Sequence, residues 1–275
     1  MTRRSLADLP ATPQFAFCAT DVAFGVNWIY SRDRAGDYSA GYRKVRLEEI
    51  PIAHAAAASA CFPPVFNPIN TLVEPGELSG GDDTGPNADR TRTKIRLSDG
   101  GVYDNMGLEP VWKRVKTLLV SDAGGRMEFY SGSGAIGDVK RYTEIVENQA
   151  RALRKRWLIE AFRSGNGPGG LPGFEGTYWG TVGYRGKYQS NAAVPGYGPE
   201  IAALISEIRT DLDAFTDAEQ CILENHGYLM ADIAVQTHLP SLYSSSAPLQ
   251  TPHPEWMDEA KVRVALQDSQ RRKLF

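Results

Sequence analysis

Hydrophobic positions fall first in short runs and later at helical spacing. Residues 14–20, Gln-Phe-Ala-Phe-Cys-Ala-Thr, make one apolar run, and residues 26–31 make a second, rich in β-branched and aromatic side chains. Gly25 breaks the chain between them, so the pattern predicts two strands able to pair as a hairpin. Residues 33–42 read as a loop with Tyr38 and Tyr42 as half-buried anchors. Residues 53–60 are alanine-rich, open after Pro51 and stop at Pro63-Pro64. They predict a helix packed closely on a sheet, with the proline tolerated in its first turn. Residues 74–93 are rich in Gly, Pro, Asp and Asn, the composition of a mobile loop. The polar–apolar alternation of residues 94–97 predicts a short strand, residues 108–115 a short helix, and the apolar run 116–121 a strand buried in a parallel sheet. Strands alternating with helices put this part in the α/β class.

Beyond Gly125 the pattern is mainly helical. Residues 138–162 predict a long helix whose buried stripe is Val146, Ala150, Leu153, Trp157 and Ala161. Arg151, Arg154, Lys155 and Arg156 surround that stripe. They read as a solvated face, with an anionic membrane surface or lipid headgroup as the alternative. The glycine-rich stretch 165–176 does not lie between a strand and a helix, so it is not read as a phosphate cradle. Residues 178–182 predict a last strand, and residues 200–212 a helix with Ile201, Leu204, Ile205, Ile208 and Leu212 on one face. Thr216 and Glu219 have the spacing of a capping box, opening a helix that runs to about Thr237. A Ser/Pro-rich segment, 239–254, precedes a final charged amphipathic helix, 255–272. The expected division is an α/β part over 1–127 and a mainly helical extension over 128–275.

Composition narrows the function classes. The chain has 275 residues, is 42% hydrophobic and carries a net charge of −3, so nothing in the overall charge points to nucleic acid. Cys18, Cys61 and Cys221 are scattered, and His54, His226, His238 and His253 lack ligand spacing, so neither a metal nor an organic cofactor is expected. The N-terminus is basic without the apolar stretch of a signal peptide, and no run approaches the roughly 18 apolar residues of a membrane span. The expectation is a cytoplasmic protein that touches a membrane at most peripherally.

Candidate chemistry centres on Asp99-Gly100-Gly101, at the end of the strand predicted by residues 94–97. Open α/β sheets hold ligands at the carboxyl ends of their strands, and a carboxylate there can orient or deprotonate a nucleophile. The two glycines allow a sharp turn with backbone angles that other residues avoid. On these residues alone, a tight turn that merely ends a strand explains the motif as well. Asp122-Ala123-Gly124 repeats the arrangement after the next strand and competes for the same role.

Taken together, Ala19-Thr20-Asp21, Gly36-Asp37-Tyr38, the run from Ala57 through Pro63-Pro64 to Phe66, and Asp99-Gly100-Gly101-Val102-Tyr103-Asp104-Asn105 resemble the C-terminal part of a patatin-like phospholipase domain. The helical segment, with Arg151 to Arg156 and Glu224-Asn225-His226-Gly227-Tyr228, resembles the extension of larger bacterial members. The resemblance implies a three-layer α/β/α domain and a Ser-Asp dyad acting on a lipid or ester substrate. In it Asp99 is the proton acceptor, supported by the turn at Gly100 and Gly101. No serine has glycine both two residues before and two after; Ser133, between Gly132 and Gly134, is flanked at those positions by Ser131 and Ala135. The nucleophile elbow and the oxyanion loop are therefore expected in a missing N-terminal half, in cis or in trans. Met1 falls just before a typical internal segment of the family, which favours a truncated or split gene. Without that half, the strands at 14–20, 94–98 and 116–121 are expected to expose unpaired edges. The alternative is a non-catalytic interaction or regulatory module on the same scaffold, in which Asp99 only holds a turn.

Overall fold

The computed structural model describes residues 4–71, 74–124, 132, 134–188, 195–209, 213–243, 249–267 and 269. The chain is mixed α/β and divides into two compact units, 1–114 and 115–275. The division falls before the boundary expected at 127, because the strand after residue 115 pairs with a later strand rather than an earlier one.

The first unit is built on a six-stranded sheet. Its strands are β1 (Ala16–Asp21), β2 (Val26–Ser31), β3 (Ala35–Asp37), β4 (Gly41–Arg43), β5 (Ile69–Asn70) and β6 (Arg96–Asp99), in the order β4-β3-β2-β1-β6-β5. Every pairing is antiparallel. The predicted hairpin forms, with Ala19 opposite Trp28. Helix α1 (Ile52–Ser59) lies against β1 and β6 through Ala55 and Ala58, both fully buried. Alanine side chains at those positions let the helix approach the sheet closely. Around them Leu6, Trp28, Tyr30, Ile50 and Leu97 complete the core.

Four expectations change in this unit. The loop expected over residues 33–42 contains strands β3 and β4, paired with each other. Strands β1 and β6 are paired on both sides, so neither exposes an edge. The helix expected at 108–115 is a run of turns, and the helical turn comes earlier, as α3 (Gly101–Asp104). The loop over 74–93 contains α2 (Ala88–Arg92), and Arg92 ties it down by donating to the carbonyls of Ala40 (2.8 Å) and Asp83 (2.9 Å).

The second unit opens with β7 (Thr117–Asp122), continues through α4 (Ala135–Ser164) and returns as β8 (Glu175–Gly180), parallel to β7. Parallel strands need such a crossover. The long helix forms as expected, but its buried stripe only in part: Val146 and Leu153 are 69% and 60% exposed, whereas Ala161 is buried as expected, together with Leu158. Length explains this, since six residues of strand reach about 20 Å while thirty residues of helix reach about 45 Å. Only the C-terminal half of α4 finds the sheet, where Phe162 stacks on Phe174 at 5.5 Å.

Helix α5 (Pro199–Ser206) is shorter than expected, and residues 210–212 lie outside the described part. Helix α6 (Asp217–His238) starts at the expected cap: the Glu219 amide donates to Thr216 Oγ1 (3.2 Å), and the Thr216 amide donates to Glu219 Oε2 (2.7 Å). Helix α7 (Glu259–Leu266) buries Val262 and Leu266 against Tyr197, Ile201 and Ile222, while residues 270–272 of the expected helix are outside the description. Among the described residues no helix is long and apolar enough to cross a membrane.

Candidate functional site

Asp99 is the last residue of β6, in register with Ala19 of β1. Its backbone is held from three directions. The Asp99 amide donates to the Cys61 carbonyl (3.0 Å), and the Gly100 amide donates to the Ser59 carbonyl (3.2 Å). Thr20 Oγ1 donates to the Asp99 carbonyl (2.7 Å) and itself accepts from the Tyr103 amide (3.1 Å). A polar side chain at Thr20 thus locks β1, β6 and α3 together at the point where the strand ends.

The side chain is held at one end only. Asp99 Oδ1 accepts from the Gly101 amide (2.7 Å), while Oδ2 has no hydrogen-bond partner among the described residues. Partial burial raises the carboxyl above its ordinary range, and the Gly101 amide opposes that shift. The result is a positioned carboxylate with one oxygen available for a proton. Among the described residues no hydroxyl or thiol hydrogen-bonds to it: Ser98 Oγ turns to the Cys61 carbonyl (3.2 Å), and Cys61 Sγ to the Asn67 carbonyl (3.1 Å). Ser133 lies outside the described residues.

The glycines serve differently from the expectation. Gly100 sits at φ −62° and ψ −29°, an ordinary helical conformation. What requires glycine is space, since a Cβ at Gly100 would lie 2.4 Å from the backbone oxygen of Cys18. At Gly101 a Cβ would meet side chains instead, Asn105 Oδ1 at 2.8 Å and Asp99 Oδ1 at 3.0 Å. Asp104, from the same motif, is buried and closes the following turn by accepting from the amides of Met106 (3.2 Å) and Glu109 (2.8 Å).

Asp122, the competitor, ends β7 in the second unit and is fully engaged. Tyr178 Oη donates to its Oδ2, the Gly124 amide donates to its Oδ1 (3.0 Å), and Arg151 Nη1 stands 3.7 Å from the same oxygen. Burial and the adjacent carboxylate raise the Tyr178 hydroxyl, so it stays protonated. Lys155 lies over the Tyr178 ring at 4.2 Å, and burial lowers its ammonium. Arg151 and Lys155 therefore do not sit on a solvated face. With Asn148, Gly124, Asp122 and Tyr178 they line a cavity of about 430 Å³ at the carboxyl ends of β7 and β8.

A second cavity in this unit, about 290 Å³, is mostly apolar, with Trp179, Ile205, Phe215 and Met230 in its wall. His226 also lines it. Its Nε2 is 2.9 Å from the Thr181 carbonyl and so carries the proton, while Nδ1 is buried without a partner. Burial lowers its pKa and keeps the ring neutral.

Two clusters had no local signature in the sequence. In the first unit Asp21 and Asp37 are both fully buried and near enough for each to perturb the other's carboxyl. Each Oδ1 accepts from two backbone amides, and each Oδ2 is buried with no hydrogen-bond partner among the described residues. A buried carboxylate oxygen without a donor disfavours the charge, so burial favours the protonated form. Burial first, and then the charge of Asp21, pushes Asp37 up to about 7. In the second unit Cys221, His253 and Glu255 come together as a group able to hold a metal ion. Local spacing did not reveal them, because α6 and the segment before α7 supply the ligands separately. No protein-family model, curated protein or solved structure matches this chain.

Proposed function

We propose that this chain supplies the general base, Asp99, of a lipid acyl ester hydrolase of the patatin-like phospholipase type. In this reading the serine nucleophile and the oxyanion loop come from a polypeptide segment outside these 275 residues. The two units then belong to a three-layer α/β/α domain and its helical extension, working in the cytoplasm or at a membrane periphery. The observation that carries the reading is the Asp99 carboxyl, with one oxygen fixed by the Gly101 amide and the other without a partner at the end of a strand.

The chemistry follows from that geometry. The Asp99 carboxylate takes the proton from the serine hydroxyl as its oxygen attacks the ester carbonyl. The proton then passes to the departing alkoxide, leaving an acyl-enzyme. Water, deprotonated by the same carboxylate, attacks the acyl carbon; the bond to the serine oxygen breaks, the proton passes back to that oxygen, and the fatty acid leaves. A carboxyl raised by burial is a better proton acceptor than an ordinary one, which suits it to work without a histidine. Asp122 fits this role less well, because both of its oxygens are already engaged.

A second reading, a non-catalytic module, is favoured by a different observation. The Asp99 amide and carbonyl and the Gly100 amide are all spent on joining β6 to α1 and β1, which is sufficient reason for the motif. One experiment separates the two readings. The chain is combined with a polypeptide carrying the Gly-x-Ser-x-Gly half, such as one encoded immediately upstream, and assayed with a fluorophosphonate probe and a chromogenic ester. The chain alone should not be labelled. The combination should hydrolyse the ester, and Asp99→Asn should lower that rate by about 10²–10⁴-fold. Hydrolysis that survives Asp99→Asn removes Asp99 as the base.

A further inference from the structure

We infer that the second unit carries a zinc site formed by Cys221, His253 and Glu255. One ligand atom from each, the Cys221 thiol sulfur, a His253 ring nitrogen and a Glu255 carboxylate oxygen, lies within 4.8 Å of the other two. Ligands around a tetrahedral zinc stand roughly 3.3–3.8 Å apart, so a modest rotation closes the set. His253 Nδ1 and Glu255 Oε1 are already 3.8 Å apart. Glu255 is exposed, with room to turn inward, whereas Cys221 and His253 are partly buried.

The support around these ligands is what separates them from a chance surface cluster. His253 Nε2 is 2.6 Å from Glu224 Oε2. A carboxylate accepts at that distance, so Nε2 carries the proton and Nδ1 presents its lone pair on the side of Glu255. A carboxylate on the far nitrogen of a ligating histidine is the arrangement that fixes the tautomer and raises basicity at metal centres. The backbone of His253 is clamped as well. Asn225, fully buried, donates to the His253 carbonyl (2.7 Å) and accepts from the His253 amide (2.8 Å). Tyr197 Oη holds the same segment further on by donating to the Trp256 carbonyl (2.8 Å). Cys221, Glu224 and Asn225 all stand on α6, so one rigid helix supplies a ligand, the orienting carboxylate and the clamp.

The donor set selects the ion. A thiolate with an imidazole and a carboxylate suits zinc and disfavours magnesium and calcium, which take oxygen ligands. On binding, the Cys221 thiol gives up its proton to solvent and its sulfur lone pair to the metal. Thiolate and carboxylate balance the two positive charges, and water takes the fourth tetrahedral position. The ion would join residues 253–255 to α6.

The test uses the whole chain after chelator treatment and dialysis. Titration with Co²⁺ should give one saturable equivalent with tetrahedral visible bands and a thiolate-to-cobalt charge-transfer band, and Zn²⁺ should displace it. Cys221→Ser should remove the charge-transfer band. Glu224→Gln should keep that band and weaken binding by about 10–100-fold. A second measurement needs no variant: Zn²⁺ should slow iodoacetamide alkylation of Cys221, read by peptide mass spectrometry, with Cys18 and Cys61 as references in the same chain. Absence of saturable binding, a charge-transfer band that persists in Cys221→Ser, or equal alkylation of Cys221 with and without Zn²⁺ would each overturn the proposal.

Discussion

Gly100 and Gly101 sit side by side in the same turn and should fail in different ways. The Cβ of Gly100→Ala would collide with the Cys18 backbone, which cannot move without disturbing the β1–β6 pairing. Overpacking of this kind costs about 1–3 kcal/mol, so Gly100→Ala should lower the urea midpoint of the first unit. Gly101→Ala would press on the side chains of Asn105 and Asp99, which can shift, so its main effect should fall on the position of the carboxylate. Asp99→Asn removes a charge that burial already disfavours. It should leave stability unchanged or slightly higher, so any loss of hydrolysis in that variant reports chemistry rather than unfolding. The sequence showed that glycine was needed after Asp99. It did not show the reason, because the atom that excludes a side chain belongs to Cys18, on another strand.

At the level of elements, local signals proved most legible where one segment carries all the groups involved. The cap of α6 is an example, since Thr216 and Glu219 bond each other across three residues. The β1–β2 hairpin is another. Signals failed where the partner is distant. Nothing in the apolar spacing of α4 announces that β8 is too short to cover it, so Val146 and Leu153 read as core yet face solvent. Nor does a run of basic residues reveal that Arg151 and Lys155 turn toward Asp122 and Tyr178. Glu219 combines both kinds of information. Besides closing the cap, it is buried in an ion pair with Arg209 (2.5 Å) and accepts from Ser269 Oγ (2.6 Å). Glu219→Ala removes the side-chain half of the capping box and leaves Arg209 with one carboxylate, Asp213, among the described residues. Breaking a buried pair costs about 3–5 kcal/mol, and far-ultraviolet circular dichroism during urea unfolding should show that loss in the second unit. Glu219→Gln keeps an acceptor at the cap without the charge and should fall between the two.

For the whole molecule, class and order of elements followed from periodicity, whereas sheet topology did not. Alternating strands and helices predicted α/β, and the chain is mixed α/β. The six strands of the first unit nevertheless pair antiparallel, and only β7 and β8 run parallel. The expected open edge persists at β7 alone among the three strands predicted to have one. There Leu119 is 53% exposed, on a strand whose pairing with β8 is its only one among the described residues. Parallel strands are ordinarily covered on both faces, and at Leu119 this one is not.

The buried Asp21–Asp37 pair makes the first unit sensitive to pH. Burial raises both carboxyls above their ordinary range, Asp37 to about 7. A group whose pKa is higher in the folded state than in the unfolded chain stabilises the fold fully below the unfolded value. That contribution is lost as pH rises through the folded value. The first unit should therefore be more stable at pH 5 than at pH 8, by a few kcal/mol. Asp37→Asn, which carries no titrating proton, should flatten the dependence. Thermal melts of both proteins at the two pH values decide the point, and equal slopes would exclude the pair as the cause.

That proton can also be counted. Near pH 6 the folded chain should keep it on Asp37, raised to about 7, while the unfolded chain, with ordinary carboxyls, does not. Unfolding there releases close to one proton into the buffer. The heat absorbed in a calorimetric scan must then include the heat of protonating the buffer, and it will differ between a cationic amine and phosphate at the same pH. The acidic pair is thus visible from outside the molecule, as a dependence of its unfolding enthalpy on the buffer chosen.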